Sequence, residues 1–470
     1  MRPALAALAV IVTVVTPVAV ERHDRAAALS HSLAPHDTSA AAAPKAPAAA
    51  GASTDQVNVS RAAFAQAEVA IAVDPSRPEV LVAGSNSFAP TVRVYGSTDG
   101  GATWTSEPLP APQGTCSFGD PALAVGSDGR QFYAYLTGPC DGRPRPEVSL
   151  ALARRAGPDA EWASTPLVIP GTATVNDKEA LAIDASPGSP YFGRLYIAWS
   201  RFVRQSGAFE VVVAHSDDDG VTWSEAVKVT GTNSSPQTYA SLAVGGDGTL
   251  YAAWLTLDQH IRLDQSTDGG DHFGADVTVD SAPFAAGFCS FGGASIPAQA
   301  QRCVTATPLV TADALHGRVY VTYSASGGTG REKNVYVSSF DAATLAPLVA
   351  RRRVNPPDRA YPSDQFLPAS AVDASTGRLW ACWYDTTGDR TRKRTRYSCA
   401  ASDDGAGTWS KPRYAASVFS NETSRRATSF QYGDYAGVAA AAGVAHPIWT
   451  DTRNLAALGE EIYTTSLTSP

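Results

Sequence analysis

The sequence predicts an all-β protein, a closed β-propeller of seven blades with four antiparallel strands in each. An eight-residue turn pattern recurs four times along the chain. A couplet of short strands recurs seven times, with a period of about 60 residues, and no helical stripe separates the copies. Repeated four-stranded units of this kind are typical of propellers. Six blades are the alternative.

The repeated turn occupies residues 97–104, 216–223, 266–273 and 402–409, which we call the four octets. Each begins with Ser, has Asp in third place and ends in an aromatic residue. The Asp carboxylate can accept backbone N–H groups, and glycine supplies positive φ, so each octet predicts a hairpin turn. In the fourth octet Ala406 replaces the usual glycine, and flanking Gly405 and Gly407 could relieve the strain. The expected structural aspartates are Asp99, Asp218, Asp268 and Asp404.

The octets resemble the Asp-box, or BNR repeat, of the sialidase-like β-propeller superfamily. This resemblance implies a propeller that acts on glycans and uses its Asp-boxes as structural turns. Sialidases of the superfamily have six blades, whereas Asp-box proteins with other blade numbers have other activities. A seven-bladed ring therefore leaves the activity open.

The strand couplets predict the first two strands of each blade. The seventh unit ends after its third strand, and residues 57–60 are expected to supply the fourth, because closing the ring removes exposed sheet edges. The couplets are 69–74 with 80–84, 122–125 with 131–135, 180–184 with 194–199, 241–244 with 249–254, 307–310 with 318–323, 369–373 with 378–384, and 435–439 with 444–449.

Composition and the N-terminal region predict an exported protein. The 470 residues carry a formal net charge of −8, so there is no basic surplus for nucleic acid. Residues 1–25 are predicted to be an export signal or an uncleaved anchor, 26–53 an Ala/Pro-rich disordered linker, and 54–470 the propeller. We expect a secreted or cell-surface monomer that associates with a membrane only if the first segment is retained.

The even number of cysteines in an exported chain predicts disulfides, with buried free thiols as the alternative. None of the spacings matches a CxxC zinc or redox motif. The expected pairs, each local in sequence, are Cys116–Cys140, Cys289–Cys303 and Cys382–Cys399.

Candidate site residues lie on the face opposite the octets. In an up-and-down blade, the loops entering strand 1 and those joining strands 2 and 3 share that face, and loops on a rigid scaffold commonly carry function. Clustered carboxyl groups beside a cation can hold different pKa values, as acid and base roles require. Repeated aspartates that merely cap loops are the alternative interpretation. The candidate catalytic residues are Asp177, Glu179, Asp364, Asp434 and Tyr435, and the candidate substrate-binding residues are Arg201, Arg331, Tyr384, Arg453 and Tyr239.

The superfamily resemblance implies carbohydrate or a cell-surface glycoconjugate as partner. In sialidases an arginine trio binds the substrate carboxylate, a Tyr paired with a Glu is the nucleophile, and an Asp is the acid/base. The Arg-Ile-Pro motif of sialidases is absent here, so these roles cannot be transferred residue by residue. We predict an exported glycan-acting propeller, an exo-glycosidase with its site at the channel mouth; the alternative is a non-catalytic glycan- or protein-binding propeller. No cofactor is expected, and Ca²⁺ among the channel aspartates stays open.

Overall fold

The computed structural model describes residues 56–468 except for short gaps. The predicted export segment, residues 1–25, and the linker, residues 26–53, lie outside the described residues. The other omitted residues are 54–55, 63, 88–91, 141–147, 168–173, 230–234, 282, 285–292, 329, 358–360, 425–426, 429, 456–458 and 469–470.

The described residues form seven antiparallel sheets, each built on four strands that follow one another outwards. This confirms the predicted all-β propeller with seven blades. Blade 1 contains β2 (Gln66–Val73), β3 (Leu81–Ser87), β4 (Arg93–Ser97) and β5 (Thr105–Pro108). Blade 2 contains β6 (Thr115–Val125), β7 (Gln131–Pro139), β8 (Ser149–Arg155) and β9 (Ala163–Pro166). Blade 3 contains β10 (Thr174–Ile183), β11 (Leu195–Val203), β12 (Ala208–Ser216) and β13 (Val227–Lys228).

The remaining blades follow the same order. Blade 4 contains β14 (Gln237–Val244), β15 (Leu250–Thr256), β16 (His260–Ser266) and β17 (Val277–Ser281). A separate hairpin, β18 (Ala294–Ile296) and β19 (Gln299–Val304), precedes blade 5. Blade 5 contains β20 (Leu309–Asp313), β21 (Arg318–Ser326), β22 (Lys333–Asp341) and β23 (Pro347–Arg353). Blade 6 contains β24 (Gln365–Asp373), β25 (Arg378–Asp385), β26 (Arg396–Ser402) and β27 (Arg413–Tyr414).

Blade 7 combines strands from the two ends of the described chain. It contains β28 (Gly437–Ala441), β29 (Val444–Asp451) and β30 (Glu461–Thr464), and β1 (Val57–Asn58) pairs with β30 as its outermost strand. A short β31 (Leu467–Thr468) also pairs with β29. The innermost strands β2 and β28 contact each other, so blade 1 packs against blade 7. The prediction that residues 57–60 complete the last blade is confirmed.

The core lies between the blades, and many of its largest side chains are aromatic residues on the second strands. A flat ring on the pleated surface covers the neighbouring sheet with a large apolar area, which stabilises the stack of blades. Among the largest fully buried side chains are Tyr133, Trp254, Tyr323, Trp383 and Trp449, which lie on the second strands of blades 2, 4, 5, 6 and 7.

The four octets form turns with one repeated hydrogen-bond pattern. In the second octet, Asp218 Oδ1 accepts hydrogen bonds from Thr222 N at 2.8 Å and Ser216 Oγ at 2.8 Å. Asp218 Oδ2 accepts one from Thr222 Oγ1 at 2.6 Å, and the Trp223 ring donates to Gly220 O at 3.3 Å. These bonds lower the pKa of Asp218 to about 2, with the Thr222 hydroxyl as the largest cause. Each octet is thus held by an ionised Asp.

Ala406 itself adopts the left-handed conformation in the fourth octet, with φ of 70°. Its N–H donates to Ser402 Oγ at 3.0 Å, as Gly101 and Gly220 do to the serines of their octets. Flanking Gly407 therefore does not relieve the strain. The equivalent position of the second octet has no room for alanine, since a Cβ on Gly220 would lie 2.1 Å from Leu152 Cδ2.

Two predicted disulfides are present in the described residues. Cys382 and Cys399 are directly opposed on β25 and β26, with Cα atoms 4.0 Å apart. Cys116 and Cys140 join the start of β6 to the residue after β7, with Cα atoms 5.2 Å apart. Cys303 is also disulfide-bonded, and Cys289, its predicted partner, lies outside the described residues.

The innermost strands begin earlier than predicted, which corrects the assignment of several candidate residues to loops. Residues 118–121 lie within β6, 176–179 within β10, and 237–239 within β14. In each case the ladder with the second strand resumes after a bulge, marked by register shifts at Gly119/Ala122, Asp177/Ala180 and Thr238/Ser241. The side chains are therefore held by a sheet rather than by flexible loops. No helix in the described part of the chain has the length and apolar character to cross a membrane.

Replacing Asp218 by Ala is expected to lower the free energy of unfolding by about 1–2 kcal/mol, because Thr222 N and the Ser216 hydroxyl lose their acceptor. Urea denaturation measures this change. Asp217→Ala is the matched control from the same octet, since the exposed Asp217 carboxylate pairs with Arg194, at 2.7 and 2.8 Å, rather than with the backbone of the turn. Equal losses in the two variants would contradict a structural role for the octet aspartate.

Candidate functional site

One position recurs at the start of the innermost strands or just before it. It lies two residues before a small–apolar run such as Ala122-Leu123-Ala124-Val125. In five blades the residue there has positive φ, between 47° and 57°, at a bulge that turns its side chain away from the regular strand alternation. These residues are Glu68, Asp120, Lys178, Tyr239 and Leu367, and the corresponding residues in blades 5 and 7 are Thr305 and Asp434.

Lys178 lies at the centre of this ring. Its Nζ is 2.9 Å from Asp120 Oδ2 and 3.0 Å from Asp434 Oδ2, which joins blades 2, 3 and 7. The ammonium also faces the rings of Tyr239 and Tyr435, at 5.8 and 5.9 Å from their centroids. Two carboxylates and two aromatic faces surround the cation. Burial would lower the pKa of Lys178, but the nearby carboxylates, chiefly Asp120 and Asp434, outweigh it and raise the pKa well above its usual value.

Arg302, from the β18–β19 hairpin, is the second cation. Its guanidinium donates to both carboxylate oxygens of Asp434, at 2.7 and 2.6 Å, and to Glu68 Oε1 at 2.7 Å. The guanidinium also lies 4.4 Å from the centroid of the Phe430 ring. Gln299 on the same strand donates to Gly433 O at 2.9 Å. The hairpin is therefore attached to blades 1 and 7 across the channel mouth.

Asn86 connects the two acids on blades 1 and 2. Its amide nitrogen donates to Glu68 Oε2 and, at 3.1 Å, to Asp120 Oδ1, while its oxygen accepts from Asp120 N at 2.5 Å. The fit requires glycine beside it, because a Cβ on Gly119 would lie 2.2 Å from the Asn86 oxygen. Glu68, Asp120 and Asp434 are at most 7% exposed. Their positions are set by this network.

The carboxyl groups divide into two sets by pKa. Burial would raise the pKa of Asp434, but Lys178 and Arg302 outweigh it and the pKa is far below the usual range. The pKa of Asp120 is lowered in the same way, chiefly by Lys178 against burial. Both groups are ionised at neutral pH. They supply the negative charge that balances the two cations.

The second set holds protons more tightly. Burial raises the pKa of Glu68 to about 8, with Arg302 opposing, and raises the pKa of Asp177 to about 6, with Lys178 opposing. Burial and the charge of Asp120 raise the pKa of Glu179 well above its usual value. Acids of one cluster with separated pKa values are the pattern that acid–base chemistry needs.

Two polar groups of the cluster have no hydrogen-bond partner among the described residues. They are the Glu179 carboxyl, at both oxygens, and the Tyr435 hydroxyl, and all three atoms are buried. The charge of Glu179 contributes to a strongly raised pKa of Tyr435, after burial and the acids Asp120 and Glu68. A buried polar group left without a partner costs about 1–3 kcal/mol, so these atoms mark a place where a ligand or water would be stabilising.

The structure brings five of the ten candidate residues together around Lys178. Asp177, Glu179 and Asp434 are the acids, and Tyr239 and Tyr435 are the aromatic residues. The Tyr239 hydroxyl lies 3.5 Å from Asp434 Oδ2. This set includes four of the candidates predicted to be catalytic or to bind substrate within residues 177–179 and 434–435, together with Tyr239.

The other five candidates lie elsewhere and have other contacts. Asp364 binds Arg392 through both oxygens and accepts from Lys333 N at 3.0 Å. Tyr384 is 1% exposed, packs 4.4 Å from the Tyr432 ring centroid, and accepts from Thr450 N. Neither reaches the Lys178 cluster, because each is committed to the packing of blade 6 against its neighbours.

The predicted arginines are also separate from the cluster. Arg201 pairs with Glu210 at 2.9 Å between neighbouring strands of blade 3. Arg453 pairs with Asp451 at 2.6 Å and lies 3.9 Å from the centroid of the Tyr463 ring. Arg331 is exposed in the segment before β22. The guanidinium at the channel mouth belongs instead to Arg302, which the sequence did not predict.

The sequence also missed Glu68, although a usable signal exists. Glu68 lies two residues before Ala70-Ile71-Ala72-Val73, as Asp120 lies two residues before its own run, so aligning the couplets places both on one ring. Arg302 has no such signal, because the hairpin lies outside the repeats.

No group of three or more His, Cys, Asp or Glu in the described ranges is arranged to hold a metal ion. The acids at the channel mouth are instead separated by Lys178 and Arg302.

Several solved structures are similar to the chain. The intramolecular trans-sialidase from Ruminococcus gnavus is 12% identical, with a TM-score of 0.46, and the match covers 75% of this chain and 95% of that one. An α-L-arabinanase from Penicillium chrysogenum is 14% identical, with a TM-score of 0.45, over 74% and 98%. A protein of unknown function from Dyadobacter fermentans is 18% identical, with a TM-score of 0.45, over 70% and 93%. No protein-family model and no curated protein matches the sequence. At these identities and TM-scores the matches carry no argument about activity.

Stability is expected to fall as pH rises from about 4.5 to about 8, because the folded state binds the Glu68 proton more tightly than the unfolded chain does. The contribution is fully favourable below the unfolded pKa and is lost as Glu68 ionises. Glu68→Gln should flatten this decline in Tm, measured by calorimetry across the pH range. Glu210→Gln is the control, since the pKa of Glu210 is lowered rather than raised. If the Tm of Glu68→Gln fell over this pH range as much as that of the unmodified protein, Glu68 would not be the group responsible for the decline.

Arg302→Met is expected to lower the free energy of unfolding by about 3 kcal/mol, because it leaves two buried carboxyl groups without their shared cation. Chemical denaturation measures the loss. Arg201→Met removes an ion pair between partly exposed side chains and should cost less than about 1 kcal/mol. Similar losses in both variants would show that Arg302 is not the counter-ion of the cluster.

Proposed function

We propose that this protein is an exported glycoside hydrolase whose site is the Lys178 cluster at the channel mouth. The observation that carries the proposal is the unpartnered Glu179 carboxyl, whose pKa burial raises well above its usual value, beside a second acid, Asp177, with a pKa of about 6. Glycosidic bond cleavage commonly needs one acid that holds a proton and another that is ionised near neutral pH. Both residues are fixed on one bulge of β10, so their relation is set by the sheet.

The reaction adds water across the glycosidic bond. Glu179 gives its proton to the leaving oxygen as the bond to the anomeric carbon breaks, while Asp177 removes a proton from the water that attacks this carbon. The products are an alcohol and a sugar hemiacetal, and the two residues exchange their protonation states until proton transfer restores them. Tyr435, whose hydroxyl is unpartnered in the described residues, orients the sugar by hydrogen bonding. Lys178 holds Asp177 through its backbone N–H, at 2.9 Å.

The superfamily resemblance also supports a site of this kind. It implies a Tyr–Glu pair, and Tyr435 and Glu179 are electrostatically coupled here. The octets, proposed to be true Asp-boxes, lie at the opposite ends of the blades from the bulges. Export is supported by the disulfides, because such bonds persist in oxidising compartments. The N-terminal segment is accordingly proposed to be a signal peptide.

A second candidate function is a non-catalytic propeller that binds glycans or cell-surface protein. The observation favouring it is the burial of the cluster: Glu68, Asp120 and Asp434 are nearly inaccessible and already paired. A channel mouth filled in this way stabilises the ring without requiring chemistry, and the surrounding loops would then form the recognition surface. The two functions differ in whether the unmodified protein turns over a glycan that it binds.

Glu179→Gln is expected to reduce kcat on chromogenic glycosides at least about 100-fold without loss of thermal stability, because the amide cannot supply the proton and no hydrogen bond is lost. Turnover by the unmodified protein should fall below about pH 6, as Asp177 becomes protonated. Glu225→Gln, on the surface, is the control. Glycan binding without turnover in the unmodified protein would select the second function. Full activity in Glu179→Gln would place the site elsewhere.

Asp434→Asn would be a poor test of the same mechanism. Asp434 accepts hydrogen bonds from Arg302 through both oxygens and pairs with Lys178. Removing its negative charge would deprive both Lys178 and Arg302 of a counter-ion and would destabilise the cluster. Glu179 avoids this difficulty.

A further inference from the structure

We infer that the site takes sugars that donate hydrogen bonds and carry no negative charge, rather than acidic sugars such as sialic or uronic acids. The inference rests on the proposed function and names its substrate class. Two observations together point to this specificity. The Glu179 carboxyl has no hydrogen-bond partner among the described residues, and both cations of the cluster are already paired with carboxyl groups of the protein.

Both cations are neutralised by the protein itself. Lys178 binds Asp120 and Asp434, and Arg302 binds Glu68 and both oxygens of Asp434. Recognition of a sugar carboxylate needs a guanidinium or ammonium that can direct its donors to the ligand. Here an incoming carboxylate would have to displace an internal one, and the displaced acid would remain buried without a partner. Such an exchange is unfavourable.

The surrounding charge disfavours an anion as well. Asp120 and Asp434 are ionised, and Asp177 is largely ionised at neutral pH. Arg302 and Lys178 supply two positive charges against these three, so the cluster is slightly negative before any ligand arrives. A further carboxylate in this partly desolvated place would be repelled, whereas a hydroxyl or an ammonium would not.

The unpartnered groups of the cluster match an uncharged sugar hydroxyl, which both donates and accepts hydrogen bonds. In either protonation state the Glu179 carboxyl keeps an oxygen that can accept from a donor, and in the protonated state its O–H also donates. The Tyr435 hydroxyl can donate or accept. Sugar hydroxyls, and the ammonium of an amino sugar, are donors that these acceptors can bind. The shared chemistry is therefore a donor without negative charge.

The test compares oligosaccharides that differ only in the terminal sugar. The full-length purified protein is titrated by calorimetry with three sets on one common core: terminated by galactose or glucose, by glucosamine, and by sialic or glucuronic acid. We expect binding of the first or second set to be at least about tenfold tighter than that of the acidic set. Glu179→Gln should weaken the preferred ligand about tenfold, whereas Glu225→Gln should leave its affinity unchanged.

The outcomes separate the inference from the proposed function. Equal or preferential binding of the acidic set overturns the inference, while cleavage of that set would still support a glycoside hydrolase. Binding of no oligosaccharide overturns both. Preferential binding of uncharged or amino sugars that Glu179→Gln does not weaken also overturns the inference, because the ligand would then lie outside the cluster.

Discussion

Two cations allow three carboxyl groups to be buried together at one end of the channel. Glu68, Asp120 and Asp434 come from blades 1, 2 and 7, and each would be costly to bury alone. Lys178 from blade 3 and Arg302 from the hairpin lie between them. The ion pairs therefore connect segments that are far apart in sequence, and the geometry of the candidate site depends on their charge balance.

The bulges explain how a regular fold produces this cluster. Along an ordinary strand, alternate side chains point to the two faces of the blade, where they pack against neighbouring blades. At residues such as Asp120 and Lys178, positive φ breaks the alternation and turns the side chain towards the channel. The same small distortion in successive blades places chemically different groups on one ring. Sequence variation at one position per blade can thus change the site without changing the packing between blades.

The fold could be predicted from the sequence because its signals are local and repeated. The octet around Asp218 and the apolar couplets recur often enough to count blades, and the missing last strand indicated residues 57–60. Site residues were predictable where they lie next to an apolar run, as Glu179 and Tyr435 do. Arg201 and Arg453 were less predictable, since their competing partners Glu210 and Asp451 become visible only in three dimensions. Arg302 depends on a hairpin that crosses the channel mouth, and no repeat indicates where an insertion folds.

The pairing of β1 with β30 links the order of folding to the order of synthesis. These strands lie at opposite ends of the described chain, and Val57 pairs with Thr464. The first six blades contain strands that are contiguous in sequence and can form as the chain elongates, whereas β1, the outer strand of blade 7, has no partner until β30 has been synthesised. Until blade 7 forms, blade 1 has no neighbour on one side, and the acids of blades 1 and 7 have not met. The channel site therefore forms only after blade 7 has been synthesised.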